Sequence, residues 1–73
     1  MSMTDDIDFL ATLYAADEIA ENRAKIEKNW AIIDAGGAPS FNAWLSNIKL
    51  EKRNTRLKHW SPFQLSIMLG LRP

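Results

Sequence analysis

The sequence predicts an all-α fold of three helices, on three observations. The stretch from Asp5 to Ala35 contains neither Gly nor Pro and is rich in Ala, as a long helix requires. Apolar residues beyond it recur at helical spacing, as in Phe41, Trp44, Leu45 and Ile48. Two clusters of breakers, Gly36-Gly37 and Ser61-Pro62, cut the chain into three pieces. Its 73 residues allow one domain with one small core, burying only about 60% of the unfolded surface.

Helix 1 is expected over about residues 5–34. Thr4 offers a hydroxyl cap, and Asp5, Asp6 and Asp8 place carboxylates at the positive end of the helix dipole. Glu21 and Lys25 stand in the favourable i, i+4 order, and Gly36-Gly37 supplies the stop. The result is a rod of roughly 45 Å. Ser40 is the expected N-cap of helix 2, about 41–59, and so short a turn makes the two helices antiparallel neighbours. Ser61 caps a short helix 3, about 62–70, with Pro62 in its first turn and Gly70 and Pro73 closing it.

Charge is balanced overall, with nine acids and nine bases, but not along the chain. Residues 1–22 hold six acids and no base, whereas residues 49–73 hold six bases and one acid. In a hairpin turning near 36–40, residue i faces roughly residue 75 − i. Asp17, Glu18 and Glu21 are therefore expected near the segment from Arg53 to Lys58, a pairing that orients the helices more than it stabilises them.

The two long helices do not match in length. Helix 2 reaches back only to about residue 17, which leaves Ile7, Phe9, Leu10, Leu13 and Tyr14 beyond its end and in need of a cover. Helix 3 is apolar almost all round, with Phe63, Leu65, Ile67, Met68, Leu69 and Leu71. It can fold over the overhang or join it in an interface with another molecule. Within helix 2, Phe41, Trp44 and Ile48 lie nearly opposite Leu50 and Leu57, so the helix either bends near Asn54-Thr55 or meets two surfaces.

Chemistry is sparse. There is no cysteine, hence no thiolate nucleophile or disulfide framework, and the single His59 has no acid at i±3 or i±4 to orient it. The carboxylate groups are explained as a helix start and a solvated face, and "DAGGAPS" lacks the Lys-Ser/Thr of a phosphate-binding loop. We therefore expect no enzyme, cofactor or metal. The acidic start and the lack of a long apolar run imply no membrane segment and a cytoplasmic location.

Two binding surfaces remain. Phe9, Leu10, Leu13 and Tyr14, with Phe63, Ile67 and Met68, form the expected docking surface for another protein or for a second copy as a homodimer, in which helix 1 would be the natural seam. Irregular register around Asp17–Glu21 argues against a long regular coil. Alternatively, Lys49, Lys52, Arg53 and Arg56 fall on one helical face extended by Trp60, a pattern suited to nucleic-acid phosphates with a base stacked on the indole.

"WSPFQLSIMLGLRP" resembles the second helix and turn of helix-turn-helix domains, but the recognition helix that would read the major groove does not follow it. The segment is thus expected to be a packing or docking helix. The functional expectation is a small non-enzymatic protein-binding module, acting as antagonist, adaptor or assembly chaperone, of a size and composition common among phage and mobile-element regulators. The alternative is a nucleic-acid binder using the basic face.

Overall fold

The computed structural model describes residues 3–72, with side chains described from Asp6 onward. Its order is α1 (Met3–Ala35), α2 (Ala38–His59) and α3 (Pro62–Met68), with no strand among the described residues. The first two form an antiparallel hairpin, and α3 folds back onto α1. The all-α, three-helix expectation holds, and helix 3 covers part of its own chain.

Element ends differ from the sequence reading in three places. The first helix already includes Met3, which puts Thr4 inside the first turn instead of ahead of it. At the second, the N-cap is Gly37 and not Ser40. Gly36 and Gly37 both take positive φ, 75° and 91°, a backbone conformation open to residues without a Cβ. That tight reversal starts the helix early, with Pro39 in the first turn, so the Ser40 hydroxyl donates to the Gly37 carbonyl at 2.7 Å instead of accepting from an amide. The third helix stops at Met68, followed by a turn through Gly70 at φ 75°. Pro73 lies outside the described residues.

Ser61 behaves as its type predicts. Its hydroxyl accepts from the Gln64 amide while the Gln64 side chain accepts from the Ser61 amide, a reciprocal capping box that defines where α3 begins.

Packing along the hairpin is thin and largely polar. Ala43, Asn47, Asn54 and Leu57 are buried on α2, and with the half-buried Leu50 they form a stripe spaced four, three, four and three, the repeat of a helix seam. Opposite them, Asn22 donates to Asn54 Oδ1 and Asn29 donates to Asn47 Oδ1, each at 2.9 Å. The second amide of each pair reaches an α1 carbonyl at 3.4 Å: Asn54 that of Ile19, Asn47 that of Ile26. One three-membered arrangement is therefore repeated a heptad apart, and it sets residue i of α1 level with residue 76 − i of α2.

The apolar core sits where all three helices meet. Ala11, Ala15, Leu57 and Leu65 form it, with Ile19, Trp60, Leu69 and Leu71 packed around them. Ala on α1 lets α3 approach closely, and the two leucines, 2% and 4% exposed, fill the space. At its edge the Arg72 guanidinium donates to Asp8 and to the Ser66 hydroxyl and lies 4.7 Å from the centre of the Phe63 ring. This latch closes the segment that follows α3 onto α1.

The bend envisaged for helix 2 does not interrupt it. It runs unbroken from Ala38 to His59, with Leu50 and Leu57 turned to α1 and Phe41 and Trp44 turned outward.

Candidate docking surfaces

Large side chains lie mostly outside this molecule and small ones inside. Phe9, Leu10, Leu13 and Tyr14 remain exposed although α3 packs on the same stretch of α1. The reason is rotational: α3 covers the face that carries Ala11 and Ala15, and the larger residues project elsewhere. Phe9 keeps 65% of its surface and Phe63 keeps 53%. Ile67 and Met68 are exposed as well, because Leu65 and Ser66 are the α3 residues turned inward. All seven expected docking residues thus lie at one end of the rod, on two helices that pack together, with Arg72 linking Asp8, next to Phe9, to Phe63.

The basic face is divided. Lys49, Lys52 and Arg56 are exposed, whereas Arg53 is engaged by Glu18 through two guanidinium nitrogens at 2.7 and 3.2 Å. That bidentate bond holds the Glu18 carboxyl below its ordinary pKa and raises Arg53 above its own. The same guanidinium lies 5.7 Å from the centre of the Trp60 ring, and Trp60 is half-buried against the core. Of the expected charge contacts across the hairpin, Glu18 makes one, while Asp17 and Glu21 are exposed. His59 is exposed too.

Sequence reasoning did not pick out two features. The asparagine pairs carried a signal, since Asn22 and Asn29 are seven apart, as are Asn47 and Asn54. Hydrophobic periodicity passes over such residues by construction. The other is a second exposed group near the turn: Trp30, Ile32, Phe41, Trp44 and Leu45, with Phe41 and Trp44 rings 6.1 Å apart. No helix is long and apolar enough to cross a membrane among the described residues.

Comparison with protein-family models, curated proteins and solved structures returns no match.

Proposed function

We propose that this chain is a small protein-binding module without chemistry of its own, which docks the α1–α3 end onto a partner protein. One observation carries this reading: Phe9, Leu10, Leu13 and Tyr14 stay exposed after α3 has folded over their helix. Apolar side chains gathered in this way favour burial against another surface by about 25 cal/mol per Å². The role is that of an antagonist, adaptor or assembly chaperone in the cytoplasm, and aromatic anchors such as Phe9 and Phe63 are the residues from which interfaces draw most of their energy.

The test is affinity capture of the tagged chain from its native lysate, with and without nuclease, comparing the wild type with Phe63→Asp/Ile67→Asp. Both positions are exposed, so circular dichroism should show the helices retained. The reading expects a stoichiometric protein that survives nuclease and is lost with the double variant. If nuclease removes everything captured, and Lys52→Glu/Arg56→Glu removes it too, nucleic acid bound to the basic face takes its place. In that alternative, binding falls with a log-log salt slope of about −3 for the three exposed cations on duplex DNA.

A further inference from the structure

A shallow furrow runs along one side of the hairpin, from the three-helix junction toward the turn. Near α3 its floor includes Thr12, Ala16 and Ile19 with Lys58. Farther on it includes Arg23 and Ile26 with Lys58, Thr55 and Glu51, and beside Glu51 and Thr55 it opens into a hollow on α2 alone, lined by Ile48, Lys52 and Arg56. Trp30, one turn beyond Ile26, and Trp44, one turn before Ile48, extend the same side, and both are nearly half exposed. None of the seven docking residues lines the furrow.

The spacing along both walls is that of a helix seam. On α1 the wall residues Thr12, Ala16, Ile19, Arg23, Ile26 and Trp30 alternate steps of four and three. On α2 Trp44, Ile48, Glu51, Thr55 and Lys58 do the same. Each helix therefore carries two adjacent heptad stripes, one used within the hairpin and one largely exposed, with Ile19, Ile26 and Ile48 half-buried, and two such stripes are what a helix shows inside a four-helix bundle.

Size points the same way. The radius of gyration is 15.5 Å, where a compact chain of this length has about 11 Å and one twice as long about 15 Å. Accessible surface is 5314 Å², roughly 700 Å² more than the scaling for a compact monomer of this mass. That excess is close to the ~800 Å² each partner contributes to a stable interface.

We propose that the furrow is closed by the same furrow of a second copy, with the two-fold axis parallel to the long axis, giving a four-helix bundle. A shared face must complement itself under the rotation. This axis brings the α1 wall of each copy against the α2 wall of the other at unchanged level, with residue i facing the wall residues within two positions of 76 − i. Trp30 then meets the Trp44–Ile48 stretch, and Ile26 meets Ile48. Arg23 meets Glu51 twice, once on each side of the axis. Neither Arg23 nor Glu51 takes part in the ion pairs within the chain, which among the described residues are Arg53–Glu18 and Arg72–Asp8.

Sedimentation equilibrium of the full chain, at concentrations up to about 100 µM, well above a micromolar Kd, should give twice the chain mass. Arg23→Glu and Glu51→Arg should each weaken self-association at least tenfold, because each variant sets like charges against each other. An equimolar mixture of the two variants should regain the dimer, since residue 23 of one copy then opposes residue 51 of the other with opposite charge both times. A charge effect within one chain cannot produce that recovery. A spin label at Ala38→Cys, the only cysteine in the chain, should report two turn ends within about 30 Å, since helix pairs in a bundle lie ~10 Å apart. A wild-type monomer throughout the range, no recovery on mixing, or label separations near the full 53 Å length of the chain would each overturn the proposal.

Discussion

The hairpin seam and the α1–α3 junction hold this chain together by different means. Between α1 and α2 the buried groups are Ala43, Asn22, Asn47 and Asn54, with Asn29 and Leu50 half-buried among them and Leu57 at the far end. Between α1 and α3 they are Ala11, Ala15 and Leu65, with Leu57 reaching in from α2. A buried polar pair adds little net stability but discriminates sharply among alignments, because a displaced partner leaves its amide unsatisfied. An apolar contact adds more and discriminates less. One region fixes register, therefore, and the other supplies adhesion.

Leucine truncation should separate the two with the largest effects. Leu57→Ala empties the point where both regions meet and should cost about 2 to 5 kcal/mol, lowering the single thermal transition of the whole chain. Leu65→Ala costs a similar amount, but what it loosens is the docking of α3 onto Ala11, Ala15 and Leu57. Hydrogen exchange should then show amides after Ser61 losing protection while those of α1 and α2 near the asparagines keep theirs. Equal loss along the entire chain would mean that the junction and the seam do not differ in kind.

Intermediate effects belong to the asparagines. Asn22→Ala strands the Asn54 carbonyl oxygen in a site only 6% exposed, at a cost of about 1 to 3 kcal/mol in denaturant midpoints. Replacing both members by leucine should be neutral or stabilising, with loss of a single defined alignment. Broadened amide resonances in an otherwise more stable double variant are the expected signature.

The smallest effect lies with Glu18 and Arg53. Their bond depresses the folded-state pKa of Glu18, so its contribution is fully present above the unfolded carboxylate pKa and is lost as pH falls through the folded value. The raised pKa of Arg53 has its counterpart only at strongly alkaline pH. Both side chains are about one-third exposed, which limits the pair to about 0.2 to 1 kcal/mol. Glu18→Gln should accordingly flatten the acid limb of the stability profile slightly and leave the neutral plateau nearly unchanged.

The sequence made the helices legible because their signals are local: glycines at a reversal, a Ser-Pro start, a stretch free of breakers. The antiparallel register followed from the turn alone, 75 − i against the observed 76 − i. The rotation of each helix was less legible. Hydrophobic counting assigns Phe9 and Leu13 to a surface needing a cover but does not reveal that α3 chooses the alanine face beside them, a choice governed by how closely two backbones can approach. The irregularity noted around Asp17–Glu21 has a similar origin. Glu18 occupies a seam position as half of an ion pair, so a charged residue continues the repeat that apolar counting reads as broken.

The repeated asparagine arrangement also acts as a vernier. Sliding α2 along α1 by seven residues, about 10 Å, brings one asparagine of each helix back into register with the other, so the seam has a second setting of its own making. What denies access to it is the two-glycine reversal at Gly36-Gly37, too short to feed chain into such a slide. Ratchet and stop are thus encoded in separate places, and lengthening the stop would turn a fixed hairpin into one with two detents.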